Sequence, residues 1–240
     1  MSLIPITARA AFRLDLRLQW RYGFVYAAAF SAVLWDAIVI ILPEPLQGPA
    51  MPYLIFGDLG IVGFFFLAGA VFFERGERTL DAVVTTPMRF GDYLASKLTT
   101  LSLLSLVLTL LITVSGVGLD FDPVTLLLGT VLCSLVCLLA SFISATPFTS
   151  ISDWIIPSTA VIAVLSLPMA FYSGLWESPA LYLAPTQGSL LLLGESFGQS
   201  RFEVWDYVYA IGSSLLWIVL LTLWARRAFY RHVVKREGGR

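Results

Sequence analysis

No apolar stretch of this 240-residue chain that is long enough to cross a bilayer contains a lysine or an arginine. Charge is scarce altogether: 13% of residues are charged and 58% hydrophobic, against about 25% charged in a soluble domain. This excludes an ordinary water-soluble fold and leaves the bilayer as solvent. A net charge of −1, with its cations gathered beside apolar runs, carries no nucleic-acid footprint. The only two cysteines, Cys133 and Cys137, lie one helical turn apart in an apolar run. A bridge along one helix is thereby disfavoured, and they read as small buried hydrophobes. The single histidine, His232, has no ligand-type neighbour at metal spacing.

What is present is a regular alternation. Six runs approach the ~20 residues that a spanning helix requires: Phe24 to Leu42, Leu54 to Phe73, Leu98 to Gly118, Pro123 to Ser144, Trp154 to Gly174 and Tyr207 to Ala225. Arg9, Arg13, Arg17 and Arg21 precede the first run. Arg75, Arg78, Arg89 and Lys97 separate the second from the third, and Arg226, Arg227, Arg231, Lys235, Arg236 and Arg240 follow the last. Basic flanks stay inside, so both termini are expected in the cytoplasm. Glu44, Asp120, Asp122, Glu177, Glu195, Glu203 and Asp206 fall outside. The first run is of spanning length and follows four arginines, so a retained span is expected rather than a signal peptide.

The expected fold is therefore all-α: one polytopic permease-like domain over residues 1–240, with segment 1–22 at the cytoplasmic interface, six helices within 24–225, and a basic tail 226–240. Pro43, Pro45, Pro49 and Pro52 should forbid helix between spans one and two. Pro157 and Pro168 should bend span five. Gly57, Gly60 and Gly63 leave span two a smooth face for close packing. The turn from Ala145 to Asp153 has no basic residue of its own. Before span six, Leu190 to Leu193 is too short to span, so residues 186–198 form either a re-entrant segment covered by protein or a loop packed on the external face.

The chemistry is concentrated in the internal loop from Glu74 to Lys97. Leu80, Val83 and Val84 recur at helical spacing and Pro87 disfavours helix at the residue before it, giving a helix of about two turns. Asp92 is placed to cap the helix that becomes span three. This stretch resembles the signature region of type 2 ABC exporter permeases, through Glu74, Glu77, Arg78, Thr79, Leu80, Thr86, Pro87, Tyr93, Leu94 and Lys97. Within that superfamily the chain is most similar to small drug-export permeases, fluoroquinolone exporters among them, and to lantibiotic-immunity permeases.

The resemblance implies that Glu74, Glu77, Arg78, Thr79, Leu80, Val83, Val84 and Pro87 belong to a coupling helix fitting a cytosolic ABC ATPase subunit. It implies a second permease chain, identical or not, and residence in a prokaryotic plasma membrane. It also implies an interfacial helix before span one. There the four arginines form one stripe, with Leu14 and Leu18 on one side, Phe12, Leu16 and Trp20 on the other, and Asp15 and Gln19 facing away. The alternative is a simple basic tail that sets topology. Arginine stems on such a helix snorkel to lipid headgroups, and anionic lipid contributes about 1 kcal/mol per basic residue near the surface. No Gly-Lys pair occurs in the chain, so the phosphate-cradling loop is absent, and ATP and Mg would sit on the partner ATPase, with no cofactor on this chain.

Asp36 and Asp58 are the acids within the runs, and carboxylates at membrane depth are functional candidates. One reading makes them a vestibule for the amine of a cationic or zwitterionic substrate; the other leaves them at helix ends near the headgroups, more so for Asp58. Two further classes of function stay open: a membrane enzyme acting on lipid, although His-Glu-x-x-His and Gly-x-Ser-x-Gly are absent, and a non-transporting assembly factor.

Overall fold

The computed structural model describes the backbone of residues 4–77, 79, 89–176 and 178–234, and side chains from residue 10 to 232. Every regular element among them is helical. Helix α1 (Ile4–Arg21) ends at Gly23, whose φ of 79° only glycine adopts without strain. That residue turns the chain into α2 (Phe24–Ile41), span one. Span two is α3 (Glu44–Asp58) and α4 (Phe64–Gly76), joined by a π-helical turn over Leu59–Gly63. Span three is α5 (Phe90–Val117), span four α6 (Pro123–Ala145) and span five α7 (Ile151–Tyr172). A 3₁₀ turn at Pro179–Leu183 leads to the short helix α8 (Gln187–Ser196), and span six is α9 (Val204–Phe229) with a π-helical end. All six spans are long and apolar enough to cross a membrane.

Span two departs most from the sequence expectation. The proline-rich segment is not a broken connection but the first turns of a helix running from Glu44 to Gly76, 33 residues. Pro43 is the N-cap and Pro45 falls in the first turn, where no amide hydrogen is needed. Pro49 and Pro52 lie inside the helix, and each leaves a carbonyl four residues earlier without its amide. The one freed by Pro52, on Gly48, accepts a hydrogen bond from Gln199 Nε2 at 3.0 Å. A contact 151 residues away along the chain thus sustains what local propensity forbids. At ~50 Å this helix outruns a ~30 Å hydrocarbon core, so its first turns project beyond the rim opposite α1.

Local signals elsewhere act as their chemistry dictates. Asp122 caps α6 by accepting from the Val124 and Thr125 amides at 3.2 and 3.3 Å. The Thr125 hydroxyl, before those amides, holds its carboxyl below the ordinary aspartate range. Ser150 caps α7, which stays helical through Pro157 and Pro168. Asp92 is not the cap of α5: Arg89 holds that position, and Asp92 lies in the first turn, where its charge still complements the helix dipole. Gly57 lets the Trp35 ring approach, 3.5 Å from where a Cβ would stand, and Gly63 faces Ser105, whereas Gly60 meets nothing within 4 Å.

Spans two and four bury 61% and 72% of their most apolar stretches, against 22% for spans one, five and six. Spans two and four are therefore the core, and the other three present apolar faces outward. Near the α1 rim the core is aromatic: Trp154 stacks on Phe64 with centroids 5.6 Å apart, and its indole donates to Ser144 at 3.1 Å. Ser141 donates to the carbonyl of Phe64, beside the π turn.

Candidate functional site

Successive helical residues diverge by about 100°, so Glu74, Arg75 and Glu77 leave the end of span two toward three different neighbours. Glu74 turns inward and is 5% exposed. It accepts the Tyr93 hydroxyl at 2.7 Å and is ion-paired with Lys97. Lys97 Nζ lies 3.0 Å from Asp15 Oδ1, and Ser96 donates to the other Asp15 oxygen. Spans two and three and α1 are thus joined through one buried ammonium. A narrow crevice of about 10 Å³ beside the triad, lined by Gln19, Tyr22 and Thr100 among others, has room for a single water and none for a drug.

Arg75 donates to the carbonyls of Thr146, at 2.7 Å, and Phe148. These lie at the end of span four, where cationic donors suit both the free carbonyls and the dipole. The span four to five turn, without a basic residue of its own, takes one from span two. Glu77 receives Arg21 at 2.7 Å and the Tyr22 hydroxyl at 2.9 Å. Burial, then the donation to Glu77 and that carboxylate's charge, push the Tyr22 phenol up to about 12. Arg21 is largely exposed, so the pair contributes little stability by itself. Thr79 donates back to the Glu74 carbonyl at 3.1 Å. Arg78, Leu80, Val83, Val84 and Pro87 lie outside the described residues.

Asp15 and Gln19 do face away from the arginine stripe, and on α1 that direction is into the protein: Ala11, Asp15 and Gln19 form its buried stripe, while Arg13, Arg17 and Arg21 are exposed. Their four-residue spacing lays this stripe against span three, where Ser96 and Lys97 supply polar partners. The helices of spans two and three continue past their apolar runs, so Glu74 and Arg75 fall in the last turn of one and Lys97 seven residues into the other.

Asp58 is 2% exposed and fourteen residues into span two, ~20 Å along the helix. Its partner Ser31 lies eight residues into the eighteen of span one, so the carboxyl is away from both ends of that helix. Ser31 Oγ and Trp35 Nε1 of span one both donate to its Oδ1, at 2.7 and 2.9 Å, and no cation pairs with it among the described residues. The π turn starts at the next residue, a distortion frequent at functional sites. Asp36, half-buried, accepts instead from Ser115 of span three at 2.5 Å. The two carboxylates lie within about a turn of each other in depth but face different neighbours. Sequence reasoning missed Ser31 and Trp35, because a serine or tryptophan in an apolar run has no pattern until its partner is known.

The profile of the fluoroquinolones export permease protein family matches residues 6–237. Two proteins of Mycobacterium tuberculosis, from strains CDC 1551 / Oshkosh and ATCC 25618 / H37Rv, are each named as a fluoroquinolones export permease protein. Each is 43% identical over 229 residues, covering 95% of this chain and 97% of the relative. A multi-pass membrane protein with six apolar spans, the chain belongs to the fluoroquinolones export permease protein family.

Proposed function

We propose that the chain is the membrane-spanning subunit of an ATP-driven exporter, with the α1 rim in the cytoplasm of a bacterial plasma membrane. A separate ABC ATPase binds and hydrolyses ATP with Mg and acts on the segment between Glu77 and Arg89, and a second permease chain completes the pathway. Fluoroquinolones, the substrates named for the mycobacterial relatives, are the first candidates among amphipathic drugs. The observation that carries this reading is the rim hub. The residues entering and leaving that segment are bonded to α1, to span three and to the span four to five turn. A push on the segment is thereby delivered to several spans at once. Glu74, buried, serves transmission; Glu77, Arg78, Thr79, Leu80, Val83, Val84 and Pro87 serve contact. Asp58 and Asp36 hold the amine of the substrate.

Affinity purification of the tagged chain from native membranes, followed by an ATP hydrolysis assay, tests this. A Walker-motif ATPase should co-purify and be lost with Leu80→Asp, which places a charge on the apolar face that the spacing of Leu80, Val83 and Val84 predicts, while leaving insertion intact. Recovery of the chain alone, or undiminished ATPase binding and transport in Leu80→Asp, would count against it.

A further inference from the structure

Helix α8 starts inside the bundle, against spans five and six, with its first turn bare of a cap. Its first residue, Gln187, is 0% exposed, and neither its amide nitrogen nor its oxygen has a hydrogen-bond partner among the described residues. The N-cap Thr186 gives its hydroxyl to the Leu165 carbonyl at 2.6 Å instead of capping the helix. The Gly188 and Ser189 amides find no backbone acceptor in the preceding turn. Side chains tilt toward the N-terminus of their helix, which leaves the unpartnered Gln187 amide on the first turn with these two backbone amides, at the positive end of a ten-residue helix.

The location is inside the bundle. Leu165 is seven residues below the end of span five and Ala210, whose carbonyl touches the position of a Gly188 Cβ, is six residues into span six. Both distances correspond to about 10 Å of depth. Polar groups left unsatisfied at such depth are strongly disfavoured, and a cluster of donors at a helix N-terminus suits an anion.

We propose that the N-terminus of α8, with Gln187, receives the carboxylate of the transported molecule near the rim opposite α1. This rests on the export reading above and deepens it. Asp58 takes the amine and α8 the carboxylate, so the pathway matches both poles of a zwitterion such as a fluoroquinolone acid. In the conformation described, span six seals the site through the contact of Gly188 with Ala210, and movement of span six away from α8 opens it.

The test compares export of a fluoroquinolone carboxylic acid and of its methyl ester by the complete transporter in proteoliposomes, with wild-type, Gln187→Leu and Gln187→Glu chains. Both variants should lower kcat/KM for the acid by about tenfold or more and change that for the ester by less than about twofold. Should Gln187→Leu fail to assemble, the isosteric Gln187→Glu decides alone. Equal losses for acid and ester at wild-type abundance and elution would make Gln187 a packing or water-holding residue and overturn the inference. A wild-type complex that moves neither compound would instead overturn the export reading, and this one with it.

Discussion

Lys97→Met should lower the thermal unfolding midpoint of the detergent-solubilised chain by about 6–20 °C. Lys97 is 3% exposed, and its ammonium is the shared partner of two buried carboxylates, Asp15 and Glu74. Methionine fills similar volume but leaves both acids facing each other without a cation. Breaking a buried ion pair in this way costs about 3–5 kcal/mol, because the remaining charge stays desolvated. The loss is not the worth of the triad, since removing all three charges together avoids the penalty. Asp15→Asn, Glu74→Gln and Lys97→Met combined should therefore recover most of the midpoint. Because Asp15 is the link from α1 to span three, Lys97→Met alone should also speed tryptic cleavage at Arg13, Arg17 and Arg21. A shift below about 2 °C in the single variant would show that the cluster is wetter than its burial indicates, and the hub would lose its role as a rigid joint.

The spans themselves were legible because length and apolarity are local properties: four of the six helices coincide with their apolar runs to within about a turn, and span three's helix begins eight residues before its run. Span two was not, since its first turns contradict proline's local rule. Only Gln199, arriving from the loop before span six to take the Gly48 carbonyl, reconciles that sequence with a helix. The short run Leu190 to Leu193 was correctly too short to span. Its burial against spans four and six, with Gly129 and Gly188 allowing close approach, depends on surfaces that no linear pattern records. At the rim, Glu74 and Lys97 were visible as a charged motif, but their inward orientation was not. Asp15 was the hidden term: one acid among four arginines reads as solvated until Lys97 is placed behind it.

Asp58→Asn should reduce export of an amine-bearing substrate about tenfold or more, while sparing a neutral analogue of the same shape. Asparagine keeps an oxygen for the Ser31 hydroxyl and the Trp35 indole, which both donate to one carboxylate oxygen at present. The substitution therefore removes charge with little change in packing, and the unfolding midpoint should stay within about 2 °C of wild type. Asp58→Leu is the structural counterpart. It strands two buried donors, each costing about 1–3 kcal/mol, and should destabilise the chain whatever its substrate. Transport selectivity separates the two roles. A carboxylate retained only to pin span one to the π turn would make both substrates fail together in Asp58→Leu and neither fail in Asp58→Asn. A carboxylate that meets the substrate's cation makes the ratio of charged to neutral transport fall in Asp58→Asn while the fold stands unchanged.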